Sequence, residues 1–474
     1  MGVGDGMLDE DLCFTPATTL RELIRAKQLS PTELVDSVIA RAEALNPRLN
    51  AICTPTFDAA RDAAKRSEGR IAGGEHLRPL EGIPVTIKDL VMTKGIRSMA
   101  GSYIFEHRVP ESDAPIVERV REAGAVVIGK TTTPELGWKG CGDSPLTGIS
   151  HNPWKHGYNA GGSSTGAAIC AAAGIGPLHQ GSDGAGSIRM PASFCGIYGI
   201  KPTFGRIPYA PAPNNDSVSH IGPMTRTVGD AALMLDVLAG PDDRDMASLT
   251  DEPPSYLDNL EADINGLRVA WSPDLGYLKV DPEVAEPVRK AVDAFTELGC
   301  HVEEVDQLWD DPTEMHRCFW VSNFAGNLGL LLDEWQDRMD PGLVACVRDG
   351  LSVSAAEYVR AKQQRLNFYA KVQDLFTRYD LLVTPTMSVA AFPAGRLMPE
   401  HWEQHAWDWI RWAGFSYPFN LTWVPAATCP CGFTPDGRPV GIQIVAGRSQ
   451  DLRVLQTSRA FERARPWADR RPAL

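Results

Sequence analysis

Basic residues are the minority here: 46 lysines and arginines stand against 60 aspartates and glutamates, for a formal net charge of −14. An acidic surface repels phosphate backbones and anionic lipid, so neither nucleic acid nor a membrane is an expected partner. The segment MGVGDGMLDEDLCFTP has no basic stretch followed by an apolar one, and no apolar run of about 18 residues occurs anywhere, which argues against secretion and against a spanning helix. Metal-binding spacings are also missing. The ten cysteines are scattered, and the one close pair, Cys429 and Cys431, reads C-P-C, which is not a zinc spacing. His401 and His405 flank Glu403, but the order H-E-x-x-H is not met. Reduced thiols in a cytoplasmic protein, with no metal or organic cofactor, are the expectation. There is no S-x-x-K, no linker, no low-complexity tract and no tandem repeat.

What is present is ordinary globular material, 43% hydrophobic and 22% charged. Ser30-Pro31-Thr32-Glu33 fits a helix start with proline at its first position. Leu34, Val35, Val38, Ile39, Ala42 and Leu45 follow at helical spacing. Residues 83–87 read as a strand, 114–123 as a helix ended by Gly124, and 125–128 as a strand. The same grammar returns with Asp281 before Pro282, Gly299 at the helix end and a strand over 300–305. Strands over 381–384 and 440–445 and a helix over 451–464 close the chain. Helix–glycine–strand units predict an α/β fold with a parallel or mixed sheet. Between about 130 and 225, Gly, Ser, Thr, Ala and Pro dominate and periodicity fades, which reads as a long functional loop region. Residues 306–425 read as helices and loops that hold eight of the twelve tryptophans.

Three segments carry chemistry. In Gly82-Ile83-Pro84-Val85-Thr86-Ile87-Lys88-Asp89, alternation turns Thr86 and Lys88 to one side and Val85, Ile87 and Asp89 to the other. A lysine buried at the end of an apolar strand loses basicity and becomes a proton acceptor; a surface lysine at a strand end is the alternative. Gly161-Gly162-Ser163-Ser164-Thr165-Gly166 precedes a run of alanines ending at Gly174, so its serines sit at a helix N-terminus, as caps or as catalytic hydroxyls. Gly181-Ser182-Asp183-Gly184-Ala185-Gly186-Ser187 has side chains small enough to leave consecutive N–H groups open, as an oxyanion site or as a flexible turn.

Taken together these segments resemble the amidase signature family. The likeness rests on GGSS, the Gly-rich turn ending in Ser187, SIR-P-A, FCGI and GIKPT-GR between Gly161 and Arg206. GIPVTIKDL, Tyr417-Pro418-Phe419-Asn420 and Pro439–Gln443 extend it over most of the chain, most weakly around 306–415. The resemblance implies an α/β/α sandwich with a central mixed β-sheet covered by helices, as one domain over 1–474. Within it lie N-terminal helices at about 17–70, a signature core at about 80–225 and a Trp-rich pocket region at about 306–425. It implies a serine amidohydrolase in which Ser187 is the nucleophile, Ser163, after a cis Gly162–Ser163 bond, the bridge, and Lys88 the base. The N–H groups of Gly184, Ala185, Gly186 and Ser187 would bind the oxyanion. Gly184, Ala185 and Thr165 depart from the residues usual at those positions; backbone donors survive the first two changes.

Gly162-Ser163-Ser164-Thr165-Gly166 also fits the nucleophile elbow G-x-S-x-G, but that motif needs a strand directly before it, and residues 152–157 read as loop. Trp402, Trp407, Trp409, Trp412 and Trp423 crowd around Tyr417. They pack a core or, with Phe319, Trp320 and Trp335, wall a pocket for a bulky apolar or aromatic substrate. For that role Trp320, Trp409, Trp412 and Tyr417 are the candidates. A small-molecule amide or carbamate, or an ester, is the expected substrate, and a monomer or homodimer the expected state. The alternatives are the glutaminase subunit of a tRNA-dependent amidotransferase, and a non-catalytic binding protein on the same scaffold.

Overall fold

The computed structural model describes residues 10–213 and 216–474. Among the described residues the strands are β1 (Ile52–Pro55), β2 (Pro84–Lys88), β3 (Val126–Thr131), β4 (Asp143–Ser144), β5 (Gly148–Ile149), β6 (Leu178–Asp183), β7 (Tyr198–Lys201), β8 (His220–Thr225), β9 (Arg268–Trp271), β10 (His301–Glu304), β11 (Leu381–Pro385), β12 (Ala426–Phe433) and β13 (Pro439–Ala446). Eleven form one mixed sheet in the order β1-β3-β2-β6-β8-β7-β12-β13-β11-β9-β10, while β4 and β5 make a separate ribbon. β3, β2 and β6 run parallel, as do β11, β9 and β10; antiparallel pairs join the two groups.

Alternation along the strands sorts the core into two layers. Leu381 and Val383 of β11, with Ile442 and Ile444 of β13, pack into one hydrophobic cluster together with the helices Pro31–Leu49 and Asp451–Ala464. Their neighbours Leu382 and Val445 face the other, built from the helices Thr313–Leu328, Pro341–Leu351 and Ala355–Arg378 and most of the buried tryptophans. Each buried Leu, Ile or Val contributes about 1.5–3 kcal/mol, so the sheet is fixed from both faces. Among the described residues no helix is long and apolar enough to cross a membrane.

The expected α/β/α architecture is present, and the element expectations outside 130–225 hold within a residue or two, except that the strand expected over 125–128 runs on to Thr131. The helix Asp451–Ala464 has the predicted bounds, and Ser30 Oγ accepts from Glu33 N–H at 3.0 Å. Asp281 caps nothing with its side chain; its carboxylate instead accepts from His401 Nε2 at 2.8 Å. The stretch 130–225 needs correction. Besides the expected helix, Thr165–Ala173, it holds β6, β7, β8 and the helix Arg189–Cys195, so it is not a long loop. Every residue of both helices is buried, and so is every residue of these three strands. An element covered on all sides has no polar face, so the period that reveals it is erased.

Candidate active site

The carboxyl ends of the parallel strands β2 and β6 lie side by side, the usual place for a ligand in such sheets. Lys88 is the last residue of β2, and Asp183, the last of β6, leads straight into the turn Gly184–Ser187. The helix Thr165–Ala173 starts beside both. Alanines let it lie close to the sheet, and Gly166 is obligatory, because a Cβ there would overlap the carbonyl oxygen of Ala51. The Gly162–Ser163 peptide bond is cis.

Lys88 is fully buried. Its Nζ is hydrogen-bonded to Ser163 Oγ at 2.7 Å, Ser164 Oγ at 3.0 Å and Ser182 Oγ at 3.0 Å. All of these partners are neutral. Burial therefore pushes its pKa well below the ordinary lysine value, opposed only by the more distant charge of Asp183. Asp89 does not hold Lys88 protonated; its carboxylate turns away to accept from Met99 N–H at 3.1 Å. Ser164 occupies the N-cap of its helix without capping it. Its hydroxyl instead donates to Ser182 O at 3.0 Å and accepts from Ser182 N–H at 3.1 Å. Ser164 N–H donates to Ser187 O at 3.1 Å, which ties the two serine segments together.

Asp183 and Arg189 form a fully buried two-pronged pair, Nε to Oδ2 at 3.0 Å and Nη2 to Oδ1 at 2.9 Å. Burial raises the pKa of the Asp183 carboxyl, but Arg189, Asn420 and Lys201 outweigh it and hold it far below the ordinary carboxylate range. Arg189 also reaches Asn420 Oδ1 at 2.7 Å and Gln443 Oε1 at 2.8 Å. The two C-terminal sequence motifs thus converge behind the turn and fix it. The network corrects one expectation: Gly186 N–H is already used, donating to Asp183 Oδ1 at 2.6 Å. Among the described residues the N–H groups of Gly184, Ala185 and Ser187 meet no acceptor. Gly186 has a φ of +105°, and a Cβ there would collide with Ser416 Oγ, whose hydroxyl donates to Ala185 O at 2.6 Å. Gly186→Ala is expected to cost about 1–3 kcal/mol in a urea melt and to misplace the turn.

Ser163, Ser182, Gly184 and Ser187 open onto one cavity of about 150 Å³, walled by Leu90, Met92, Phe105, Leu136, Tyr209 and Trp320 among others. Of the four aromatic candidates, only Trp320 lines it. Trp409 packs edge-on to Trp320 at 5.5 Å and donates from Nε1 to Trp138 O at 2.8 Å. Trp412 stacks on Phe194 at 6.0 Å, and Tyr417 stacks on His316 at 4.5 Å with its hydroxyl on Thr313 Oγ1. These three form the packing behind the wall. The remaining wall, Leu90–Met92 and Tyr209–Pro213, comes from loops with no distinctive residue pattern. The departures from the family pattern are accommodated. Thr165 Oγ1 donates to Gly161 O at 2.7 Å and its methyl fills the space beside Gly142, while side-chain-free Gly184 leaves room next to Trp320. His401 is bound to Asp281, and His405 Nδ1 accepts from Asp408 N–H at 3.0 Å; both are exposed side chains held by hydrogen bonds. The segment before Gly161 contains no strand, as a nucleophile elbow would require.

A mixed sheet with a buried lysine–serine cluster at the ends of its parallel strands defines a class of amide hydrolases. The chain belongs to the amidase signature family: residues 33–455 match the family described as Amidase. It is 41% identical to an acylamidase from Rhodococcus erythropolis, over 98% of this chain and 99% of that one. The A subunit of glutamyl-tRNA(Gln) amidotransferase from Symbiobacterium thermophilum is 32% identical, over 97% of this chain and 98% of the other. The solved structure of a bacterial aryl acylamidase of the amidase signature family superposes with a TM-score of 0.89 at 31% identity, covering 96% of this chain and 97% of that one. The protein is a hydrolase acting on amides.

Proposed function

We propose that this protein hydrolyses bulky or aryl carboxylic amides through an acyl-enzyme on Ser187, as one domain working without metal or organic cofactor. The observation that carries this reading is the 2.7 Å contact from a fully buried Lys88 to Ser163 Oγ, in the cavity that also holds Ser187. A serine hydroxyl needs a base to attack a carbonyl. Neutral Lys88 takes a proton from Ser163 as Ser163 takes one from Ser187. Ser187 Oγ bonds to the acyl carbon, and the carbonyl oxygen becomes an oxyanion held by the N–H groups of Gly184, Ala185 and Ser187. The proton then passes from Lys88 through Ser163 to the leaving nitrogen as the C–N bond breaks. Water, activated by the same relay, releases the acid. Each oxyanion donor is worth about 2.7–4 kcal/mol.

The apolar wall with Trp320 supports an aryl or bulky group on the substrate, and carbamates and esters share the same acyl carbon and leaving heteroatom. A hydrolysis panel of anilides, primary amides, glutamine, carbamates and esters tests the reading, with Ser187→Ala as the blank. Turnover confined to glutamine would favour the amidotransferase-type activity. No turnover, with no fluorophosphonate labelling of Ser187, would favour a non-catalytic role. A cytoplasmic protein acting as monomer or homodimer, with neither nucleic acid nor membrane as partner, completes the proposal.

The relay has a pH signature. Lys88 must be neutral to accept a proton, so kcat/KM should rise with pH and level off below the ordinary lysine range. Stability follows the same sign. With the folded pKa lowered, the unfolded chain binds more protons between the two values, so this lysine's contribution to stability increases as pH rises through that window. A pH–rate profile whose rising limb lies at the ordinary lysine value contradicts a buried neutral base.

A further inference from the structure

Among the described residues that line the catalytic cavity, Arg108 alone is charged. It is held in place rather than free to swing. Its N–H donates to Phe105 O at 3.0 Å and its carbonyl accepts from Ser98 N–H at 3.0 Å. The guanidinium lies over the Phe105 ring, 4.1 Å from the centroid, and Nε donates to Ser98 O at 2.8 Å. That leaves Nη1 and Nη2 without an acceptor, and no carboxylate lies within 4.0 Å, among the described residues. Arg108 feels one carboxylate, Asp89, and shares it with Lys130. The Lys130 ammonium is fully buried and satisfied by Val91 O, Thr93 Oγ1 at 2.7 Å and Ser98 Oγ at 3.1 Å. Two cations beside Asp89 leave a surplus positive charge next to a cavity whose other lining residues are uncharged.

We propose that Arg108 binds a carboxylate carried by the substrate away from the scissile amide, and so selects anionic amides over neutral ones. A planar guanidinium whose Nη1 and Nη2 are both free matches a carboxylate in a two-pronged pair. A neutral substrate that displaces water from this cavity leaves the same N–H groups unpaired, which counts against it. The inference rests on the amide-hydrolase reading of Ser187, Ser163 and Lys88.

Two matched pairs of substrates test it. Butyryl anilide against succinyl anilide places the carboxylate on the acyl side; acetanilide against 4-acetamidobenzoate places it on the leaving amine. In at least one pair the anionic member should have kcat/KM about tenfold or more above the neutral one, chiefly through KM. Arg108→Met should bring that ratio to about one, and Arg108→Lys, which keeps the charge but not the fork, should retain part of it. Fluorophosphonate labelling of Ser187 reports whether each variant has a folded site; should Arg108→Met fail to fold, the wild-type and Arg108→Lys ratios decide. Ratios near one in both wild-type pairs, or a preference that survives Arg108→Met, overturn the inference while the amide-hydrolase reading stands. If no amide of the panel is turned over above the Ser187→Ala blank, that reading fails and this inference with it.

Discussion

Ser187→Ala is expected to lower kcat/KM by on the order of 10⁴-fold or more for any amide the wild type cleaves. Lys88→Ala should fall by a comparable factor, and the double variant no further than the worse single one. The reason is the chain of contacts: Lys88 Nζ sits 2.7 Å from Ser163 Oγ, and its other side-chain partners, Ser164 and Ser182, carry no charge. Groups that move one proton as a unit cannot be removed additively. Steady-state kinetics on the anilide that the wild type turns over best, with fluorophosphonate labelling as a second readout, measures this. Lys88→Ala labelled at the wild-type rate would remove the lysine from the mechanism.

Arg189→Met should cost about 3–5 kcal/mol of stability, because it leaves the Asp183 carboxylate buried without its counterion. Both side chains are wholly buried, and the pair bridges β6 to the segments that carry Ser416, Asn420 and Gln443. The consequence reaches the site, since Asp183 also holds the turn through Gly186 N–H and Ile188 N–H at 2.6 and 3.1 Å. Urea melts of Arg189→Met, Asp183→Asn and the double variant test this. The double should lose clearly less than the sum of the singles. Additive losses would mean that the two side chains are not coupled.

Much of this site was legible in the chain. GIPVTIK reads as a strand because proline opens it and apolar residues alternate along it, and β2 ends on the lysine that the pattern turns away from Val85 and Ile87. GGSS before a run of alanines reads as a helix start, and the helix begins at Thr165. The donor set was read too generously, because nothing along the chain says that Asp183 folds back onto Gly186. The aromatic wall was misjudged for a related reason. Trp409, Trp412 and Trp320 are equally apolar in sequence, and only their packing order separates the one at the cavity from those behind it.

Local propensity determined the α/β layering from the chain alone, and the resemblance of short contiguous motifs pointed to the family and to Lys88, Ser163 and Ser187 as candidates. Tertiary structure decided the rest. It joined Asp183, Arg189, Asn420 and Gln443 across more than two hundred residues of sequence, and it assembled the cavity from loops without a pattern. It also left Arg108 facing the cavity that holds Ser163 and Ser187, with unspent hydrogen-bond donors. Such features depend on which long-range contacts fill space and which polar groups find partners, and those are properties of the packed whole.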